Sequence, residues 1–105
     1  MPVLKNNPNL KDIQKYVQEL ESERGFSEET VLQKCILIGE ELGELFRAIR
    51  KKEGIKTDKA SVSDPIGEEL ADLIVYICAI ANRYNINLEE EFRKKEEINK
   101  KRVWN

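Results

Sequence analysis

Apolar positions recur every three or four residues along most of the chain, which is the helical period. Leu10, Ile13, Tyr16, Val17 and Leu20 form the first such run, and Gly25 closes it. Asn7 or Asn9 is expected to cap this helix, with Pro8 in its first turn. A second helix is expected from a Ser27 cap to about Lys52, with Glu28 and Glu29 in its first turn and Gly54 as its stop. A third should start at Ser63 or Asp64 before Pro65 and run to about Tyr84. Asn85-Ile86-Asn87 makes a turn, and Asn87 with Glu90 gives a capping-box pattern for a fourth helix from about Leu88. Residues 54–62 are polar and irregular and read as a mobile surface loop, placed to act as a lid. No strand pattern appears. The expected fold is all-α, a four-helix bundle-like protomer formed by one domain over residues 1–105.

The faces of the second and third helices carry the informative departure. At about 100° per residue, Cys35, Ile38, Leu42, Leu45 and Ile49 form an apolar stripe, and Leu37, Glu41, Glu44 and Ala48 lie beside it. Glu40 falls further round, near Arg47. On the third helix Ile66, Leu70, Leu73, Ile77, Ile80 and Tyr84 form the core stripe, flanked by Glu69, Asp72, Tyr76, Ala79 and Arg83. Acids held against an apolar face need a positive partner. Two such pairs on neighbouring helices repel one another unless cations lie between them. A divalent ion held by Glu41, Glu44, Glu69 and Asp72 would satisfy both conditions, with Glu40 beyond the metal shell or acting as a base through water. A single Glu-x-x-Glu is an ordinary solvated pattern, so it is the pairing of two that points to a site.

Composition narrows the metal. The chain has no histidine, so any ion is held by oxygen, and oxygen sites favour magnesium, manganese or calcium. Absence of histidine also excludes His-activated nucleophiles and His-ligated zinc. At 105 residues, 40% hydrophobic and 36% charged, the chain is long enough to bury a core and reads as a soluble helical protein. A net charge of −2 gives no reason to expect a nucleic-acid polymer as partner. Cys35 and Cys78 both fall in apolar runs and read as small core residues of a reducing compartment, the cytoplasm. The first residues do not resemble a signal peptide, and no apolar run reaches the roughly 20 residues of a membrane span.

The fourth helix supplies opposite charge. Leu88, Phe92, Lys95, Asn99 and Arg102 share a face, so cationic and amide groups stand in line with two hydrophobes expected in the core. Metals with lysine and arginine suit a polyphosphate ligand, though Glu91 and Glu96 also offer ordinary helix ion pairs. No Gly-x-x-x-x-Gly-Lys-Ser/Thr loop is present. The third helix is apolar almost all round between Leu70 and Ala81, which in so small a chain suggests a partner subunit. Tyr76 reads as a core residue or as ligand-facing, and Trp104 as an aromatic of an exposed tail or an interface.

Glu40-Glu41-x-x-Glu44 followed by Glu69-x-x-Asp72, with Arg24-Gly25-Phe26-Ser27 upstream and Lys95-x-x-x-Asn99-Lys100-Lys101-Arg102 downstream, resembles the signature of MazG-type all-α nucleoside triphosphate pyrophosphohydrolases. The likeness runs from about Leu10 to Arg102. It implies an enzyme that uses Mg2+, with Mn2+ as a substitute, to cleave a nucleoside triphosphate between the α and β phosphates. By the same resemblance Glu41, Glu44, Glu69 and Asp72 would hold the metal, and Glu40 or Glu41 would serve catalysis. Lys95, Asn99 and Arg102 would contact phosphate or sugar, and Tyr76 would face the nucleotide, as in the deoxycytidine triphosphatase-like branch. It further implies a dimer or a dimer of dimers. Tandem members carry a second domain, which this chain lacks. Three readings stand at this point: a nucleotide-pool cleaning enzyme, a phosphoribosyl-ATP pyrophosphohydrolase, and a non-catalytic helical interaction protein.

Overall fold

The structure, a computed structural model, describes residues 1–56, 58, 60, 62 and 65–104. Four helices follow in order: α1 Leu10–Arg24, α2 Val31–Lys52, α3 Ile66–Arg83 and α4 Leu88–Lys100. No strand occurs among the described residues. The all-α expectation therefore holds. The chain divides into two compact units, one of residues 1–27 with 78–105 and the other of residues 28–77.

In the first unit, α1 begins at a reciprocal cap. The Asp12 N–H donates to Asn9 Oδ1 at 2.8 Å, and the Asn9 N–H donates to Asp12 Oδ2 at 3.0 Å. Pro8 therefore precedes the cap instead of sitting inside the helix, because Asn9 satisfies the exposed N–H groups directly. Gly25 closes α1 at φ 79°, and the N–H groups of Gly25 and Phe26 both donate to the Glu21 carbonyl. α1 packs against α4. Val17 and Leu20 of α1 and Cys78, Ala79 and Ala81 of α3 are the buried apolar residues of this unit.

A buried amide fixes the turn between α3 and α4. Gln14 Nε2 donates to Asn82 Oδ1 at 3.1 Å and to the Ile86 carbonyl at 2.8 Å. Its Oε1 accepts the Leu88 N–H at 2.9 Å, and Asn82 Nδ2 donates to the Gln14 carbonyl at 2.8 Å. Gln14 thus uses both hydrogens and its oxygen, and removing it would strand backbone groups in a buried place. Asn85 makes the turn at φ 54°. Asn87 caps α4 by accepting from the Glu90 N–H at 3.2 Å. Arg83 donates to the carbonyls of Phe26 and Ser27 at 3.3 and 2.8 Å, pinning the segment after α1.

In the second unit, the cap of α2 is Thr30 and not Ser27. Thr30 Oγ1 accepts from the Gln33 N–H at 3.1 Å, and Gln33 Oε1 accepts from the Thr30 N–H at 2.8 Å. This two-way box outcompetes Ser27, which has no Glu or Gln three residues on. Glu28 and Glu29 consequently lie before the helix. Beyond Lys52, Gly54 adopts φ 73° and its N–H donates to the Lys51 carbonyl at 3.2 Å. The Arg50 guanidinium donates to the Lys56 carbonyl. α3 starts one residue after Pro65, whose carbonyl accepts from the N–H groups of Glu68 and Glu69 at 3.0 and 3.4 Å. The expected caps Ser63 and Asp64 lie outside the described residues, as do Thr57, Lys59 and Ser61 of the expected lid.

The buried face of α2 differs from the expected one. Lys34, Leu45 and Ala48 are buried, while Leu42 and Ile49 of the expected core stripe are exposed, and Cys35 with them. The turning angle puts Lys34, Glu41, Leu45 and Ala48 within about 60° of one another. The helix therefore turns inward the side that carries an acid and a lysine. Cys35 is a free, exposed thiol, contrary to the core reading, whereas Cys78 is free and buried. Leu70, Ile74 and Ile77 of α3 are each about half exposed (48%, 49% and 48%). On α4 no residue is buried, and Phe92 is exposed where a core residue was expected.

Candidate metal centre

Three carboxylates of the second unit converge. One oxygen each from Glu41, Glu69 and Asp72 lies within 4.8 Å of the others. Glu41 comes from the middle of α2, while Glu69 and Asp72 stand three apart on the first two turns of α3 and so project from one side of it. Glu69 is 1% exposed, Glu41 half-buried and Asp72 exposed. The centre thus grades from a closed floor to an open mouth. Glu69 also belongs to the first turn of α3, where the helix dipole offsets part of the cost of a buried negative charge.

The donor set fits a hard divalent cation. Three oxygens within 4.8 Å of one another can all reach a single ion at about 2.1 Å through small side-chain rotations. Glu41 Oε2 is buried and accepts no hydrogen bond. A shielded carboxylate oxygen without a donor is an unfavourable arrangement that a cation corrects. Oxygen ligands alone select the magnesium, manganese and calcium class.

Tyr76 stands one turn beyond Asp72 and is half-buried. Burial pushes its hydroxyl above the usual tyrosine value. The negative charges of Glu41, Asp72 and Glu29 push the same way, and Lys34 opposes them. Tyr76 accordingly shares the electrostatic environment of these acids and stays protonated at neutral pH.

Of the expected site residues, Glu41, Glu69 and Asp72 are brought together. Glu44 and Glu40 are exposed on α2, and Glu44 is not among the three convergent carboxylates. Lys95 and Asn99 lie on α4 in the other unit, and Arg102 lies just past its end, with its N–H on the Asn99 carbonyl at 3.1 Å. Asn99 Oδ1 is shielded and accepts no hydrogen bond. The Trp104 indole N–H donates to the Asn99 carbonyl at 3.3 Å, so the tail folds back along the end of α4.

Sequence reasoning passed over one charged pair. Lys34 is 2% exposed, and its Nζ lies 3.1 Å from Glu29 Oε1. The available signal was spacing. Lys34 precedes Glu41 by seven residues, which is 20° short of two full turns and puts both on one face.

Comparison with known proteins decides the family. Residues 26–103, well over half of the chain, match the MazG nucleotide pyrophosphohydrolase domain. The chain belongs to the MazG family. It is a nucleotide pyrophosphohydrolase, which favours the enzyme readings over a non-catalytic helical protein. The crystal structure of YPJD from Bacillus subtilis, a pyrophosphatase candidate, is similar with a TM-score of 0.78 and 27% identity, over 94% of this chain and 100% of that one. The structure of iMazG from Vibrio DAT 722 is similar with a TM-score of 0.63 and 29% identity, over 89% of this chain and 99% of that one. The uncharacterised protein YvdC of Bacillus subtilis strain 168 is 28% identical over 95 residues, covering 84% of this chain and 90% of its own. No helix among the described residues is long and apolar enough to cross a membrane.

Proposed function

We propose that the chain acts as one MazG-type domain that hydrolyses nucleoside triphosphates to the monophosphate and pyrophosphate with Mg2+, or Mn2+ in its place, as a nucleotide-pool cleaning enzyme. The convergence of Glu41, Glu69 and Asp72 carries this reading. These three residues hold the ion, with Glu44 joining them at the exposed edge. The ion, when bound, neutralises phosphate charge and makes the α phosphorus a better electrophile. The other steps belong to the chain's own groups. Glu40, exposed one residue before Glu41, orients a water molecule and takes its proton as the water oxygen attacks the α phosphorus. The bond from that phosphorus to the bridging oxygen breaks, and pyrophosphate leaves. Lys95 and Arg102 offset the charge on the departing phosphates, and Asn99 offers its amide to phosphate or sugar. Tyr76 faces the nucleotide.

The exposed Leu70, Ile74 and Ile77 support self-association into a dimer or a dimer of dimers, since half-exposed aliphatic rows are commonly covered by a partner. In this reading neither a nucleic-acid polymer nor a membrane is a partner, and the enzyme works in the cytoplasm, where thiols such as Cys35 and Cys78 stay reduced.

The test is a panel of ribo- and deoxynucleoside triphosphates and phosphoribosyl-ATP, incubated with Mg2+ and resolved by chromatography. Monophosphate and pyrophosphate in equal amounts are expected from nucleoside triphosphates. Exclusive turnover of phosphoribosyl-ATP would move the enzyme to the sister reading. Glu41→Gln should lower kcat/KM by roughly a hundredfold or more with the helical circular dichroism retained. Unchanged activity in that variant would overturn the assignment of Glu41.

A further inference from the structure

The two largest fully buried side chains among the described residues are Lys34 and Glu69. Both belong to the second unit, and one of them is an acid of the metal centre. Burying a lysine is unfavourable unless negative charge surrounds it. Glu29 supplies one such charge at 3.1 Å, but Glu29 lies before α2, in the connecting segment. Lys34 lies two turns before Glu41 on the same face of α2, a separation of about 10.5 Å along the axis. Tyr76, one turn past Asp72, feels Glu41, Asp72, Glu29 and Lys34 together, so the pair and the acids share one electrostatic environment.

We propose that the pair formed by buried Lys34 and half-buried Glu29 is a built-in charge regulator of the acid cluster, in which Lys34 acts as an internal counter-cation that sets how tightly the cluster holds its divalent ion. The inference rests on the reading of Glu41, Glu69 and Asp72 as metal ligands. Lys34 itself is too deeply buried to meet a nucleotide and is a positioning residue. Its ammonium makes the empty acid cluster tolerable and at the same time weakens the ion that competes with it. Glu29 does the reverse, by holding Lys34 in place and cancelling part of its field. The coupling is reciprocal, so a bound ion must also loosen the grip of the site on Lys34.

The signs separate this role from mere packing. Lys34→Met removes a positive charge that shares the electrostatic environment of the cluster, so Mn2+ should bind more tightly, by roughly three- to thirtyfold for one unit charge in a partly solvated site. Glu29→Gln removes a negative charge, so Mn2+ should bind more weakly by a similar factor. The double variant should return close to the wild-type Kd, and Lys34→Arg should resemble wild type. Mn2+ titration of the nucleotide-free protein, followed by electron paramagnetic resonance, reads these values without turnover. Structural damage alone would weaken binding in both single variants. Shifts in the same direction, or no shift in either, overturn the inference while the metal centre stands. If Lys34→Met does not fold, Glu29→Gln decides alone, and unchanged or tighter binding there overturns the proposal. Wild-type protein that binds no Mn2+, or Glu41→Gln protein that binds it as well as wild type, overturns the metal-site reading itself and the inference with it.

Discussion

Glu69 makes a heavy demand on its surroundings. It is an acid with 1% exposure, in a first helical turn, with Glu41 and Asp72 beside it. Its helical register with Asp72 was legible in the sequence, because three-residue spacing on a helix is a matter of angle. Its depth was not, because depth depends on what α2 turns towards it. Lys34 illustrates the same limit. A lysine among apolar residues reads as a solvated side chain reaching outward until the fold encloses it. Smaller polar features translate more directly. Asp12 accepts from the Asn9 N–H and pairs with Lys5 at 3.1 Å, and these partners, the backbone bond foremost, hold its carboxyl below the usual 3.8. A depressed carboxyl adds stability above its unfolded value, and that increment fades as pH falls through the folded value. Asp12→Asn should therefore be less stable than wild type at about pH 5, and the difference should be smaller at about pH 3, below the unfolded value. Urea midpoints at the two pH values check this, and a difference that stays constant would contradict the cap's electrostatic role.

Among the elements, α2 shows where a helical wheel succeeds and where it stops. The wheel separated Leu42, Leu45 and Ile49 from Glu41 and Glu44 correctly as angles. It then assigned the more apolar side to the core of the same chain. The structure turns Lys34, Leu45 and Ala48 inward and leaves Leu42 and Ile49 exposed. An apolar face says only that something covers it, and the sequence of one chain does not say whether the cover belongs to that chain. On α3 the same reasoning had already suggested a partner subunit. If the row Leu70, Ile74 and Ile77 is the proposed contact, Ile74→Glu should shift the molecule to monomer in sedimentation while α3 stays helical. A charge at the centre of a buried aliphatic patch costs several kcal/mol, about what separates micromolar from unmeasurable association. An unchanged sedimentation coefficient would place the contact elsewhere. Helix ends were read well where Gly or Asn marks them, at Gly25, Gly54 and Asn87. They were read less well where two caps competed, at Ser27 and Thr30.

For the molecule as a whole, the helical class was readable because it rests on periodic spacing spread over most of the chain, and the family because Glu40-Glu41-x-x-Glu44 with Glu69-x-x-Asp72 resembles its signature. What spacing could not supply is the arrangement of groups that meet only through tertiary structure. Gln14 is the clearest case. It stands in a run of charged and apolar residues with nothing to mark it, yet its amide organises the turn that leads into α4, where Lys95 and Asn99 reside. Asn82, its partner, is likewise unmarked in sequence. The pairing proposed for the aliphatic row on α3 has a thermodynamic consequence of its own. A protein that completes its apolar burial by pairing has a melting temperature set by mass action, because each unfolding event also separates subunits. Diluting this protein a hundredfold should lower its melting temperature by several degrees in a differential scanning measurement, whereas the Ile74→Glu variant should melt at one temperature whatever its concentration.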